Sequence, residues 1–141
     1  MIRFFDTSAL VKRYVEEPGS AMVRATLRAH PCTVARVTLA EAAAAVARAC
    51  RLGAISEVQR DAIFGRLPQD FARLSVVEIR PALVARVPEL VMRYPLRAYD
   101  AIQLAAALTV RQTGSSVELW CADGELLEAA TAEGLRIVTP S

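Results

Sequence analysis

Histidine and lysine are almost missing from this sequence: His30 and Lys12 are the only ones in 141 residues. Without imidazole to act as base, serine and cysteine triads have no way to run, and His30, beside Pro31, reads as a plain surface residue. Lys12 leaves no ammonium near the last strands, where a receiver-type phosphoacceptor module would need one. The D-x-D spacing of aspartyl phosphatases is also missing, because Ser8 stands two residues after Asp6. Cysteine is sparse. Cys32, Cys50 and Cys121 are odd in number, far apart and never C-x-x-C, which excludes a disulfide framework and a thiolate zinc site; they read as small core residues in a reducing compartment. No apolar run reaches the ~18 residues of a membrane span. The longest, Ala101 to Val110, is interrupted by Gln103, and Asp6 falls where a signal peptide would need its apolar region. The expectation is a soluble, cytoplasmic protein with no membrane partner.

What is present is a chain that is 54% hydrophobic, of a length that makes one domain, residues 1–141, with a core of its own. Its formal charge is only +2, yet all but one of the seventeen basic residues are arginine, whose planar fork matches phosphate oxygens in pairs. Four acids discussed below form a candidate cluster. Setting them aside leaves 17 basic residues against 11 acidic, a balance that suits a polyanionic substrate around an acidic pocket.

The opening stretch Ile2-Arg3-Phe4-Phe5-Asp6-Thr7-Ser8-Ala9-Leu10 organises the rest. A short apolar run with β-branched and aromatic members predicts a buried strand that ends on the Asp6 carboxylate. A short helix from Ala9 to about Val15 follows, then a helix capped by Ser20 and running through Leu27. After Pro31, Cys32 to Ala35 predicts a second strand, and Thr38-Leu39-Ala40-Glu41 has the pattern of a capping box opening an alanine-rich helix to Leu52. Ser56 with Gln59 starts the next helix, expected to stop at Pro68. Leu74 to Ile79 is a third strand, and Pro81 opens a helix that Pro88 kinks or divides. Arg97 to Thr113 is apolar on nearly all sides, as a buried helix is. Val117 to Cys121 predicts a fourth strand, Glu125 to Glu133 a last helix, and Leu135 to Val138 a fifth strand. Strands alternating with helices make an α/β fold with a mostly parallel sheet covered on both faces.

In such sheets ligands bind outside the carboxyl ends of the strands. Asp6 follows strand one, Glu41 follows strand two, and Asp123 follows strand four, while Asp100 lies in the first turn of the buried helix. Singly, each has a local explanation in capping or in the helix dipole. Together, four carboxylates in one cleft would repel and raise one another's pKa values unless a divalent cation neutralised them. Oxygen ligands without histidine or thiolate suit Mg²⁺ or Mn²⁺. An acid-lined Mg²⁺ or Mn²⁺ site in a basic protein favours in-line hydrolysis of a phosphodiester, the metal lowering the pKa of a bound water and stabilising the attacking and leaving oxygens. Thr7 and Ser8 fit as supporting donors that orient the Asp6 carboxylate or a metal-bound water, or as caps of the first helix.

These residues resemble a known family. The apolar-apolar-D-T-S-A-L opening is similar to that of PIN-domain ribonucleases, Thr38 to Glu41 to their second acidic motif, and Leu96 to Ala107 to their third. Cys121-Ala122-Asp123 through Leu126, with Ala129-Ala130 to Gly134-Leu135, resembles the fourth. In size and motifs the chain looks most like the VapC-type toxins of toxin–antitoxin pairs. The resemblance implies a PIN-like three-layer α/β/α sandwich around a mostly parallel five-stranded sheet. Asp6 and Asp100 would be the principal metal ligands, Glu41 and Asp123 would complete the catalytic quartet, and Ser8 would support Asp6. It further implies an Mg²⁺- or Mn²⁺-dependent endoribonuclease acting on RNA, paired as a homodimer and silenced by a cognate antitoxin. The alternative is a PIN-fold nuclease or RNA-binding module outside any such pair. On the helices Ala9 to Val15 and Ser56 to Leu67, the residues Leu10, Val11, Tyr14, Val58, Ile63 and Phe64 either flank a groove for an antitoxin segment or simply cover the sheet.

Overall fold

The computed structural model describes residues 1–141. Five strands form one sheet: β1 (Ile2–Phe5), β2 (Cys32–Ala35), β3 (Ser75–Val77), β4 (Val117–Trp120) and β5 (Arg136–Val138). Their order is β3-β2-β1-β4-β5, and every pairing is parallel. The chain winds outward from β1 through β2 to β3, then crosses back to β4 on the other side. The switch point therefore lies between β1 and β4, where open α/β sheets place their ligands.

The helices are α1 (Thr7–Leu10), continued by a 3₁₀ turn Val11–Arg13, α2 (Ser20–Ala29), α3 (Val37–Arg51), α4 (Glu57–Ala72), α5 (Pro81–Val84), α6 (Val87–Arg93), α7 (Ala98–Gln112) and α8 (Gly124–Ala132). Alternation along each strand sends neighbouring side chains to opposite faces. Phe4 and Leu119 join one core with Leu104, the α7 alanines and Leu126, while Phe5 and Trp120 join a second with Leu10, Val23, Val46 and Phe71. Two cores on the two faces of one sheet make the expected three-layer α/β/α sandwich. Phe5 and Trp120 stack with centroids 4.9 Å apart. Ala101, Ala105, Ala106 and Ala107 are fully buried, so α7 lies close against the layers around it.

Three local expectations need correction. Thr38 is not a cap: α3 begins one residue earlier at Val37, just after the end of β2, with Arg36 at the cap position making no side-chain capping bond and Thr38 buried within the first turn. Ser20 is not the cap of α2 either. Gly19 holds that position at φ +93°, and a Cβ there would lie 2.5 Å from the carbonyl carbon of Pro140, so backbone conformation and space both demand glycine. The Ser20 hydroxyl instead accepts the Glu17 amide proton at 2.9 Å. Finally, α4 does not stop at Pro68 but runs on to Ala72. Leu67 and Phe71, one turn apart and both buried, draw the helix onward. Burying two such side chains contributes roughly 3 to 6 kcal/mol, which offsets the ~3 kcal/mol of a proline in a helix interior. Pro88 divides its segment as expected, falling in the first turn of α6.

Candidate active site

Asp6 closes β1 and caps α1, its backbone N–H donating to the Trp120 carbonyl at 2.9 Å so that the ends of β1 and β4 stay zipped. The side chain is 4% exposed. Its Oδ2 accepts from the Ser8 amide at 3.1 Å, from the Ser8 hydroxyl, and from the Cys121 thiol at 3.7 Å. Burial pushes the Asp6 carboxyl above its ordinary pKa, with the charge of Glu41 adding to the rise and the Ser8 bonds opposing it. Cys121 remains a thiol: burial, then the charge of Asp6, raise it to about 12. Ser8 also accepts from the Ala122 amide at 2.9 Å, tying the chain after β4 to the end of β1. Ser8 thus stands on Asp6, where the sequence places a donor.

Thr7 reaches a different acid of the group. Its hydroxyl donates to Glu41 Oε1 at 2.8 Å, not to Asp6, and lies 3.1 Å from the Thr38 hydroxyl. Gln103 completes this group. Fully buried, it directs Nε2 at Glu41 Oε1 (2.9 Å), Thr38 Oγ1 (2.8 Å) and Thr7 Oγ1 (3.1 Å), while its own Oε1 finds no partner. Sequence reasoning missed Gln103 and Thr38 as members of the site. The available signal was the one amide in the apolar middle of α7, Ala101 to Val110, three residues after Asp100 and therefore on the same helix face.

Asp123 caps α8, Oδ1 accepting from the amides of Glu125 (3.0 Å) and Leu126 (3.2 Å). Capping and cleft membership coexist in this residue. Asp100, in the first turn of α7, has no side-chain partner at all. Burial pushes its carboxyl up to about 6, and the charges of Asp123, Asp6 and Glu41 add to that rise against a smaller opposing effect of Arg97. The fold thus brings the four acids, far apart in sequence, within electrostatic reach of one another. Glu41, Asp100 and Asp123 line an open cleft of about 640 Å³ with Arg97, Tyr99 and Glu125. Asp6 is too buried to belong to that lining.

These residues fit a hard divalent cation by donor type. All are oxygens, none of the four carboxylates has a lysine or arginine within ion-pair distance, and Asp6, Glu41 and Asp123 each hold one oxygen on protein donors outside the other. They are not closed into a cage, since no three acidic, histidine or cysteine side chains already stand at metal-ligand geometry. Four uncompensated negative charges would hold one another apart in this way.

Comparison with known proteins agrees with this architecture. A PIN-domain family profile matches residues 3–117. Two curated relatives from strains of Mycobacterium tuberculosis, named Ribonuclease VapC45 and Ribonuclease VapC49, are each 32% identical over 136 residues, covering 95% of this chain and 92% of theirs. Among solved structures, PAE2754 from Pyrobaculum aerophilum superposes with a TM-score of 0.70 at 23% identity, covering 98% of this chain and 90% of that one. A toxin–antitoxin complex from Klebsiella pneumoniae gives 0.67 at 22% identity, covering 99% and 98%. With the profile spanning most of its length and the β1–β4 switch point carrying acids from four separate segments, the chain belongs to the PIN-domain family.

Proposed function

We propose that this protein is a metal-dependent endoribonuclease and the toxin of a toxin–antitoxin pair, with Asp6, Glu41, Asp100 and Asp123 as its catalytic acids and Mg²⁺ or Mn²⁺ as the ion they hold. The observation that carries the reading is the convergence of Glu41, Asp100 and Asp123 on one open cleft above the buried Asp6, with no lysine or arginine in ion-pair contact with any of the four. Support comes from the two relatives named as ribonucleases and from the fold shared with a toxin–antitoxin complex. The chain is read as a single nuclease domain, cytoplasmic, acting as a homodimer on RNA.

When bound, the cation supplies charge neutralisation, an acidified water and a clamp on the attacking and leaving oxygens. The protein's part is to hold oxygens ready. Ser8 fixes Asp6 Oδ2, Thr7 and Gln103 fix Glu41 Oε1, and the α8 amides fix Asp123 Oδ1, so each carboxylate presents its second oxygen with little rotational freedom left. Asp100, without such a tether, is the acid that can move when the ion enters. Incubation of purified protein with labelled RNA and DNA, in Mg²⁺, Mn²⁺ or EDTA, beside Asp6→Asn and Asp100→Asn, tests the reading. Cutting of RNA lost in EDTA and in both variants is expected; cutting that survives either treatment overturns the metal mechanism.

The groove expected between α1 and α4 is present and lined in part by Leu10 and Tyr14, but it is less apolar than the residues named for it. Leu10 and Ile63 belong to the core, Val58 stands alone in solvent, and Phe64 faces a separate apolar groove beside β3. What lies between α1, α2 and α4 is a groove of about 490 Å³ with Tyr14 and Leu27 on its walls and Arg28, Arg66 and Arg73 unpaired along it. Its charge favours a partner segment that combines apolar and acidic residues. Co-purification with the product of a neighbouring reading frame, lost on Arg66→Glu with Arg73→Glu, is the expected result. Unchanged capture by that double variant would exclude this groove.

A further inference from the structure

Two side chains lining the acid cleft take no part in holding its carboxylates. Arg97 precedes α7 in extended conformation, and its guanidinium makes no hydrogen bond or ion pair although Glu41, Asp100, Asp123 and Glu125 line the same cavity. Several other arginines near carboxylates are paired, as Arg13 is with Asp70, Arg36 with Glu78 and Arg93 with Glu133. Tyr99 is equally out of pattern. The other two tyrosines, Tyr14 and Tyr94, place their hydroxyls on Asp70 at 2.7 Å and Glu133 at 2.6 Å. Tyr99 makes no such bond and is 59% exposed at the cleft.

An anionic substrate entering a cleft of four acids needs a cation that the protein has not already spent, and a free guanidinium supplies two parallel donors to phosphate oxygens. An exposed aromatic ring beside it offers a face on which an unpaired base can stack. We propose that Arg97 and Tyr99 form a substrate subsite for single-stranded RNA. Arg97 holds a phosphate next to the acids, and Tyr99 stacks the base of a flanking nucleotide, which fixes the strand's register against Asp100. The inference rests on the ribonuclease reading and adds to it the conformation of RNA that is selected. A duplex, whose bases are already stacked on one another, cannot use the Tyr99 face, so unpaired segments are preferred.

The test uses one single-stranded oligoribonucleotide and a set of copies carrying a single abasic nucleotide walked across its length. Filter binding in EDTA and steady-state cutting with Mn²⁺ are measured for the wild type, Tyr99→Ala, Tyr99→Trp, Arg97→Gln and Arg97→Lys. One abasic position should weaken wild-type binding roughly tenfold, the size expected for one lost stack. Tyr99→Ala should lose a similar factor on intact RNA, carried mainly by KM, and nothing further on that abasic copy, while Tyr99→Trp restores the discrimination. Arg97→Gln should reduce the slope of log affinity against log salt by about one, and Arg97→Lys should keep the slope. Wild type indifferent to every abasic position, or Tyr99→Ala losing equally on intact and abasic RNA, would overturn the stack. An unchanged salt slope in Arg97→Gln would overturn the phosphate contact. Binding that depends on Tyr99 without any cutting would sink the nuclease reading and keep the subsite; cutting indifferent to both residues would do the reverse.

Discussion

Two carboxylates buried to nearly the same degree, Asp6 at 4% and Glu118 at 5% exposure, sit at opposite ends of the paired strands β1 and β4. Glu118 is fully answered. Its Oε1 accepts from the Trp120 indole N–H at 2.9 Å, and Arg136 on β5 reaches Oε2 at 3.2 Å. Asp6 receives hydroxyl, amide and thiol protons, yet no cation, and its nearest charged influence is another acid. The same burial therefore has two meanings. A matched buried charge belongs to the architecture, whereas one left unmatched at a strand's carboxyl end, beside three more, is set there for something that arrives later.

The largest expected effect separates the two directly. Asp6→Asn or Asp100→Asn should lower RNA cutting by roughly 10³-fold or more, given the several kcal/mol that a correctly held ion contributes, while leaving the melting temperature of the metal-free protein unchanged or higher. Single-turnover cleavage and calorimetry check both halves. A fall in melting temperature would place Asp6 with Glu118 and break the contrast.

Next in size is Gln103→Leu, which keeps the volume and removes the donor on Glu41. Loss of such an outer contact typically costs about 10- to 100-fold in metal affinity or activity, and Mn²⁺ titration should find that decrease with little change in fold.

The pH dependence follows from Asp100, whose carboxyl is pushed by burial and by the neighbouring acids from the ordinary 3.8 up to about 6. An acid raised on folding makes the native state take up its proton first. The metal-free protein should then gain stability as pH falls from about 6 toward 4, and lose it as pH rises through the same window. With Mn²⁺ the sign reverses, because proton and ion compete for the same oxygens and affinity should drop roughly tenfold per pH unit below about 6. Thermal melts with and without metal across that range read both slopes, and parallel curves would remove the charge burden assigned to the cleft.

The smallest effect on cutting belongs to Glu118→Leu. It should cost about 1 to 3 kcal/mol of stability by stranding the Trp120 N–H and leave the activity of the folded variant as it was.

The sheet and the acids were legible because their signals are local. β2 is Cys32–Ala35 as its apolar run and Pro31 predict, and Asp6 marks the end of β1 because a carboxylate cannot continue a buried strand. What resisted reading depends on partners distant in sequence. Thr38-x-x-Glu41 looks the same whether it opens a helix or lies within its first turns, and the deciding contact comes from Gln103, 65 residues away. Pro68 ends a helix by local rules, and only the burial of Leu67 and Phe71 in a core shared with β1 and β4 overrules it. The apolar residues of α1 and α4 were likewise sorted into core, groove and solvent by tertiary packing, which no periodicity encodes.

The stack of Phe5 on Trp120 has one further use. This is the only tryptophan in the chain, and each ring immediately precedes a residue of the site, Phe5 before Asp6 and Trp120 before Cys121. The molecule thus carries its own optical gauge: indole emission excited near 295 nm samples the floor beneath the carboxylates, so ion uptake can be followed in unlabelled protein and in real time.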